Sequence, residues 1–423
     1  MRYAIENIKV VDPFRKSDSP AVENIYIEDG KFVEALSAEA DKVIEGDGLV
    51  ATPGFIDPHT HLRDPGLTYK EDIISGTKAA AAGGFVAVAA MPNTKPVCDT
   101  PEIVKYMIDK AHKEGFAEVL PIAAVTIGEK GKELSDFAAL KEAGAPALTD
   151  DGRPVATAAI MREALLKARD LDLVIIDHPE DTALAWGTHV NLGKVSAELK
   201  LKGMPNSAEA ICVARDIILS MEVDAPVHLC HLSTKESVEL VRWGKAQGAK
   251  ITADACPHHF WLTDEALLEH GSFAKMYPPL RQKEDCQAVA EGIMDGTIDM
   301  IGTDHAPHSL EEKGEDIEKA FMGIIGLETA FPLSYTKLCR ELGFSFESLI
   351  ERLALAAAKL FKLGSREIKP GNPAHLTILD LDKKYLIDPS KSFSKSRNTP
   401  FGGTEVQGAI CYTFWGGRLT YEA

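Results

Sequence analysis

Several features that mark specialised protein classes are missing from this chain. No apolar run approaches the roughly 18 residues that a membrane-spanning helix needs, and no basic segment followed by an apolar stretch opens the sequence. The seven cysteines are scattered and form no Cys-x-x-Cys pair. This usage argues against a disulfide framework and predicts reduced thiols in a cytoplasmic protein.

Positive charge is also scarce. The chain has 46 Lys and Arg against 64 Asp and Glu, a formal net charge of -18, and it contains no Lys/Arg-rich run. The resulting field repels nucleic acids and anionic membranes, so we expect neither as a partner. An anionic small-molecule substrate would have to be held by local positive groups. A length of 423 residues, 45% of them hydrophobic, suffices for one large core and a small appended domain.

Short apolar segments alternate with amphipathic stretches through the middle of the chain. The amphipathic stretches are typical of helices, and a glycine-rich phosphate loop of the doubly wound type is missing. This alternation predicts a parallel (β/α)8 TIM-like barrel over residues 53–365. The predicted strands are 54–62, 85–91, 119–125, 145–149, 173–177, 227–232, 250–255 and 300–303.

The two flanks show a different pattern, in which short strands are separated by tight turns. Neither flank is long enough to bury a core alone, so we expect the two to pair. Residues 1–52 and 366–423 are therefore predicted to form one small β-sandwich domain into which the barrel is inserted.

Imidazole and carboxylate side chains follow five of the predicted barrel strands. Residues i and i+2 of a strand share a face, so His59 and His61 project together, and barrel active sites lie at the carboxyl ends of the strands. Any one of these side chains could be a satisfied core residue, but six at strand ends are difficult to ascribe to chance. The predicted metal ligands are His59, His61, Asp151, His178, His231 and Asp304.

The ligand types suit one or two zinc ions per chain. His59 and His61 are predicted to hold one ion and His178 and His231 a second, while the two oxygens of Asp151 bridge them. Asp304 is predicted to be the catalytic general base and then acid, because a carboxylate beside both ions can take the proton of the attacking water. Hydrolysis of an amide is the reaction class that this site predicts.

Several motifs in order carry a family resemblance. They are His59-Thr60-His61-Leu62-Arg63-Asp64-Pro65-Gly66, Met91-Pro92-Asn93-Thr94, Thr149-Asp150-Asp151-Gly152 and Gly302-Thr303-Asp304-His305-Ala306-Pro307-His308. With them the chain resembles the dihydroorotases of the amidohydrolase superfamily, and above all the long bacterial type with an aspartate ligand on the fourth strand. The resemblance implies reversible cyclisation of N-carbamoyl-L-aspartate to L-dihydroorotate in pyrimidine biosynthesis. It also implies aspartate transcarbamoylase as a possible partner and a possible homo-oligomer.

The same resemblance assigns Arg63, Asn93 and His308 to the substrate carboxylate. Arg63 lies two residues beyond His61, and a guanidinium can grip a carboxylate through two parallel hydrogen bonds. The alternatives are an ion pair of Arg63 with Asp64 and a simple turn role for Asn93. The role of His308 depends mainly on the resemblance.

Three positions depart from the family pattern. Tyr277 replaces an asparagine expected to contact the pyrimidine ring, so it is a substrate-binding candidate of different size and hydrogen-bonding capacity. The stretch 319–323 usually carries a proline near Phe321, in a loop expected to cover the pocket, and Pro179 replaces a cysteine next to His178. These departures leave open a hydantoinase- or dihydropyrimidinase-like hydrolase, or a catalytically weak scaffold for aspartate transcarbamoylase. His258 and His259 are expected to serve packing and backbone hydrogen bonding, with orientation of a metal ligand as the alternative.

Overall fold

The computed structural model describes residues 1–15 and 21–423, so residues 16–20 of the predicted N-terminal flank lie outside the described part. Its strands, in chain order, are β1 (Arg2–Val10), β2 (Ala21–Glu28), β3 (Lys31–Val33), β4 (Lys42–Glu45), β5 (Val50–Pro53), β6 (Phe55–Thr60), β7 (Phe85–Ala90), β8 (Glu118–Pro121), β9 (Ala147–Leu148), β10 (Val174–Asp177), β11 (Val190–Asn191), β12 (Gly203–Met204), β13 (Val227–Leu229), β14 (Ile251–Ala255), β15 (Met300–Ile301), β16 (Leu376–Leu386), β17 (Glu405–Trp415) and β18 (Arg418–Glu422).

Helices follow most of the central strands. The α-helices are α1 (Ile73–Ala82), α2 (Pro101–Glu114), α3 (Phe137–Ala143), α4 (Ala158–Asp170), α5 (Thr182–Ala185), α6 (Lys194–Leu199), α7 (Ser207–Val223), α8 (Lys235–Ala246), α9 (Pro257–Trp261), α10 (Ala266–His270), α11 (Lys283–Asp295), α12 (Leu310–Lys313), α13 (Ala330–Ser334), α14 (Phe346–Ile350) and α15 (Ala356–Leu360). Short 3-10 segments cover Ile127–Glu129, Gly271–Ala274 and Pro389–Lys391, and π-helical segments cover Tyr335–Glu341 and Glu351–Leu355.

The eight predicted central strands are all present, and they pair in parallel. One sheet contains β6, β7 and β8, and a second runs in the order β9, β10, β13, β14, β15. A parallel bridge from Ala123 to Leu148 links the first sheet to the second, and a bridge from Thr60 to His305 links their other edges. Every residue of β6 and β7 is buried, as expected for parallel strands covered on both faces.

The helices between these strands are amphipathic, as their sequences predict. In α2, Pro101 occupies the first turn, where its missing N–H costs nothing, and Gly115 ends the helix. Val104, Met107 and Ala111 are buried on one face, at the three- and four-residue spacing of a helical stripe. Burial of this stripe against the parallel strands fixes the helix on the sheet.

Strands from both flanks join one eight-stranded sheet in the order β18, β17, β16, β5, β1, β2, β3, with β4 paired to β1. The two flanks meet where Leu376 of β16 lies opposite Pro53 of β5 in antiparallel register. Buried side chains from both flanks share one apolar cluster, which includes Ile5, Ile27 and Phe414. The predicted pairing of the two flanks is therefore confirmed.

Within the described ranges, no helix combines the length and the apolar character needed to cross a bilayer.

Candidate active site

The six predicted ligands lie together where the parallel strands end. His59 is in β6 and His61 directly follows it, while the other four lie in the loops just beyond β9, β10, β13 and β15. All six are buried, with at most 6% of any residue exposed. Arg63, His231 and Asp304 adopt positive φ angles of 58°, 41° and 43°, a backbone region that non-glycine residues seldom occupy. Strained backbone at the strand ends thus aims these side chains into the site.

Asp151 lies at the centre and faces two pairs of imidazoles. Its Oδ2 is 3.4 Å from Nε2 of His59 and 3.4 Å from Nε2 of His61. Its Oδ1 is 3.7 Å from Nδ1 of His178 and 3.6 Å from Nε2 of His231. Donors bound to one zinc ion stand about 3.3 Å apart, so the carboxylate offers one oxygen to each pair at near-ligand spacing.

Asp304 lies against the first histidine pair, His59 and His61. Its Oδ1 is 3.1 Å from Nε2 of His61 and 3.5 Å from Nε2 of His59. Burial alone would raise the pKa of Asp304, but the neighbouring imidazoles, His61 first, hold it well below the ordinary value. The carboxylate is therefore ionised at neutral pH and can accept a proton.

Several buried polar atoms of this cluster have no hydrogen-bond partner among the described residues. They are Nδ1 and Nε2 of His59, Oδ1 of Asp151 and Nδ1 of His231. Unsatisfied buried groups are costly, and an ion bound between them is one way to satisfy them. With imidazole and carboxylate as the donor types, the residues fit a divalent metal ion.

The electrostatics of the cluster also favour a cation. The pKa of Asp151 is held well below its ordinary value by His59, His178 and His231, although burial opposes this. Burial lowers the pKa values of His59 and His178, yet the surrounding carboxylates raise them to about 9 and about 10. The buried carboxylates therefore favour a positive charge between the histidine side chains.

Arg63 is buried at the rim of this cluster. Its Nε donates to the carbonyl of Pro307 over 3.3 Å, and its Nη2 lies 3.4 Å from Nε2 of His308. The alternative ion pair with Asp64 is wrong, because Asp64 accepts from Nζ of Lys110 over 2.6 Å instead. The guanidinium forms no ion pair with any carboxylate of the described residues, which leaves it available for an anionic ligand.

Asn93 and His308 contact the site in ways that the sequence did not predict. Oδ1 of Asn93 lies 2.9 Å from Nδ1 of His61, so that the amide oxygen accepts the imidazole N–H and leaves Nε2 free for a ligand role. Nε2 of His308 lies 2.9 Å from the carbonyl of Met322, and its Nδ1 is 3.3 Å from Nζ of Lys70. Both nitrogens of His308 are thus engaged within the protein.

Tyr277 lies against the second histidine pair. Its ring stacks on His178 with the centroids 5.3 Å apart and an interplanar angle of 17°. Oε2 of Glu180 is 3.8 Å from Nε2 of His178, and burial followed by the charge of Glu180 raises the pKa of the Tyr277 phenol. Phe321 is 53% exposed, and its ring centroid is 5.3 Å from that of His308. Tyr277 therefore lies beside the second histidine pair, whereas Phe321 lies against His308.

Sequence reasoning overlooked two side chains beside the cluster, Glu180 and Cys230. Sγ of Cys230 is 3.3 Å from Nε2 of His231. This sulfur and ligand atoms of His59, Asp151 and His231 all lie within 4.8 Å of one another. Their positions in the sequence could have indicated them, because Cys230 directly precedes the predicted ligand His231 and Glu180 lies two residues after His178. Asp150, the neighbour of Asp151, accepts from the backbone N–H of Thr126 over 2.8 Å and stabilises its loop.

Comparison with known proteins identifies the family. A family model described as dihydro-orotase-like matches residues 48–237. A dihydroorotase from Acetivibrio thermocellus is 44% identical over 413 residues, which cover 97% of this chain and 96% of the relative. One from Geotalea daltonii is 44% identical over 426 residues and covers all of both chains.

Solved structures show the fold. The L-hydantoinase (dihydropyrimidinase) of Arthrobacter aurescens superposes with a TM-score of 0.88 at 23% identity, over 99% of this chain and 96% of that one. The D-hydantoinase of Thermus sp. gives a TM-score of 0.83 at 24% identity, over 100% and 96%. The fold is therefore of the α/β amidohydrolase type, and with full-length relatives at 44% identity the chain belongs to the dihydroorotase family.

Proposed function

We propose that this protein is a dihydroorotase, a metal-dependent cyclic amidohydrolase that interconverts L-dihydroorotate and N-carbamoyl-L-aspartate in pyrimidine biosynthesis. One observation carries the proposal beyond family membership. Asp151 faces a histidine pair with each of its oxygens, and the unpaired guanidinium of Arg63 stands at the rim of the same cluster. The site thus offers a metal centre beside a receptor for a carboxylate, and L-dihydroorotate presents both a cyclic amide and a carboxylate.

The residues that would hold the metal are His59, His61, His178, His231, Asp151 and Asp304, with zinc as the proposed ion. When bound, the metal supplies Lewis acidity, which makes water a nucleophile near neutral pH and polarises the amide carbonyl. Asn93 orients His61 as a metal ligand, because its amide oxygen accepts the hydrogen of Nδ1.

Asp304 is the proposed proton carrier. Its carboxylate is buried, kept ionised by its imidazole neighbours and placed between the two histidines of the first pair. It would accept the proton of the attacking water at one oxygen and then deliver it to the amide nitrogen as the ring opens. In the reverse direction the same carboxylate would remove that proton.

Arg63 is the proposed anchor of the substrate carboxylate, with Asn93 and His308 beside it. A buried guanidinium without a carboxylate partner has a strong preference for an anion, which offsets the repulsion expected from a net charge of -18. His308 would contribute by giving up one of its present partners, Met322 or Lys70. Tyr277 is proposed to border the ring-binding side of the pocket, since it stacks on His178.

We also propose how the chain is divided into two domains. A closed (β/α)8 barrel over residues 53–365 is supported by the bridges that join both edges of the two parallel sheets. A β-sandwich formed by residues 1–52 and 366–423 is supported by their shared sheet and apolar cluster. A cytoplasmic location, a homo-oligomer and binding to aspartate transcarbamoylase stay predictions.

The decisive experiment is metal analysis combined with turnover assays before and after chelation. We expect zinc in the purified protein and hydrolysis of L-dihydroorotate that is lost with the metal and restored by adding it back. Hydantoin and dihydrouracil are assayed in parallel, because Tyr277 in place of an asparagine would permit a hydantoinase-like alternative. Faster turnover of either compound than of L-dihydroorotate would establish that alternative, and a metal-loaded protein inactive on all three, with or without aspartate transcarbamoylase, would indicate the scaffold role.

A further inference from the structure

A second group of metal-binding side chains follows β14, the strand that lies between β13 and β15. Cys256 directly follows this strand and caps the N-terminus of α9, and His258 and His259 lie in the first turn of α9. One ring nitrogen of each histidine and the Cys256 sulfur all lie within 4.8 Å of one another. None of the three belongs to the six ligands of the proposed active site, and the proposed reaction assigns them no part.

The two histidines of this group are buried, and each has a ring nitrogen that no described residue contacts by a hydrogen bond. His258 is 2% exposed and His259 1%, and within residues 1–15 and 21–423 neither Nε2 of His258 nor Nδ1 of His259 has a hydrogen-bond partner. Nε2 of His259 lies 3.2 Å from the carbonyl of Pro278, which accepts its hydrogen. Nδ1 of His259 is then left with a lone pair, which is the ligand form of an imidazole.

We propose that Cys256, His258 and His259 bind a thiophilic divalent cation of the zinc type, separate from the centre around Asp151. Thiolate and imidazole are both zinc donors, and a zinc site with three protein ligands takes water as the fourth. Around one zinc ion these donors stand about 3.3 to 3.7 Å apart, so the group reaches ligand geometry by small side-chain movements. Cys256 releases its thiol proton to water as the sulfur–metal bond forms.

The cation has a structural consequence for the pocket. Its ligand His259 donates to the carbonyl of Pro278, and Pro278 directly follows Tyr277, which stacks on His178. Fixing the His259 ring therefore fixes the loop that carries Tyr277. We expect loss of the cation to alter the KM for the ring-shaped substrate more than kcat.

The test uses the full-length protein reconstituted with Co²⁺, because a thiolate bound to cobalt gives a near-ultraviolet charge-transfer band that imidazole and carboxylate ligands do not give. We expect the band in the unmodified protein, its loss in Cys256→Ser, and its retention in Cys230→Ser. Cys230 is the matched control because its thiol borders the proposed active centre. Zinc content should fall by about one ion per chain in Cys256→Ser alone. A band that is absent from the unmodified protein, or that disappears with Cys230 instead, overturns the proposal.

A second measurement covers the case in which Cys256→Ser does not fold. Zinc-edge X-ray absorption is recorded on the unmodified protein and on Cys230→Ser. The proposal requires a sulfur neighbour at about 2.3 Å in both samples. A spectrum without sulfur in either sample refutes it.

Discussion

At the scale of single residues, one carboxylate organises the candidate site. Oδ2 of Asp151 faces His59 and His61, and its Oδ1 faces His178 and His231. Removing any one of these groups would leave its neighbours buried and unpaired, which is more costly than losing a single hydrogen bond. The individual side chains therefore act as one unit, and only residues at its edge can be tested separately.

Asp304→Asn tests the proton carrier. We expect kcat to fall by about 10² to 10⁴, because an amide cannot accept and return the proton, while the metal content stays near that of the unmodified protein. The measurement is steady-state turnover of L-dihydroorotate together with metal analysis. Asp172→Asn, at an exposed residue paired with Lys362, is the matched control. A kcat within a few-fold of normal would remove Asp304 from the proton transfer.

Arg63→Met tests the carboxylate anchor. Losing a buried charge-assisted contact costs about 1.5 to 3 kcal/mol, so we expect KM for L-dihydroorotate to rise by about 10- to 150-fold. Arg162→Met serves as the control, since Arg162 pairs with Glu222 at the surface. If KM for L-dihydroorotate does not change, another group binds the carboxylate.

The six proposed ligands could be located from the sequence because active sites of barrel enzymes lie at the carboxyl ends of the strands. Each follows an apolar segment, and parallel strands bring their carboxyl ends to one edge. The partners of His308 could not be located in the same way, because Lys70, 238 residues before it, and Met322, 14 residues after it, both lie in loops. Hydrogen bonds between loops have no periodic signature.

At the scale of elements, the segment before β17 is fastened to the barrel by Glu71. This carboxylate is fully buried and accepts from the hydroxyl of Ser394 and, over 3.3 Å, from the backbone N–H of Lys395. Its Oε2 also lies 3.2 Å from Nε2 of His305, the residue after Asp304. Burial opposes ionisation, but His305 and the hydroxyls of Ser394 and Ser75 together lower the pKa of Glu71.

The lowered pKa gives a pH dependence with a definite sign. Because the folded protein holds the pKa of Glu71 below the ordinary 4.5, its stabilisation is complete above that value and is lost as pH falls through the folded pKa. We expect Glu71→Gln to lower the free energy of unfolding by about 2 kcal/mol at pH 7. The difference should shrink below about pH 4.5. Urea denaturation between pH 7 and 3.5 measures this, with the exposed Glu198→Gln as control. A difference independent of pH would contradict the assignment.

The elements themselves were largely predictable, with two instructive exceptions. Helix α2 (Pro101–Glu114) coincides with one of the amphipathic stretches, because its apolar stripe, N-terminal proline and C-terminal glycine agree. Strand β5 (Val50–Pro53) was missed, since all four residues are buried and show no alternation. Strands β11 and β12 were missed because two-residue pairings depend on the partner strand rather than on local sequence.

At the scale of the whole molecule, the proposed ligands come from strands in both parallel sheets. His59 and His61 lie at the end of β6 in one sheet, and Asp151, His178, His231 and Asp304 lie just beyond strands of the other. Ions held between them would join distant parts of the chain, and binding to the folded state alone stabilises that state.

Metal removal should therefore lower thermal stability as well as activity. We expect the Tm of the chelated protein to fall by about 5 °C or more and to recover when zinc is added back. Differential scanning calorimetry on both forms measures the change. Mg²⁺, which binds imidazole poorly, is the matched addition and should not restore the Tm. Equal Tm values for both forms would show that the ion does not hold the two sheets together.

The antiparallel contact between β5 and β16 has a consequence for biogenesis on the ribosome. More than 300 residues separate Pro53 from Leu376, so the hydrogen-bonding edge of β5 stays open while the intervening chain is synthesised. An unpaired edge strand is a template for aggregation. Nascent chains stalled before residue 376 should accordingly recruit chaperones, and that dependence should end once β16 has emerged.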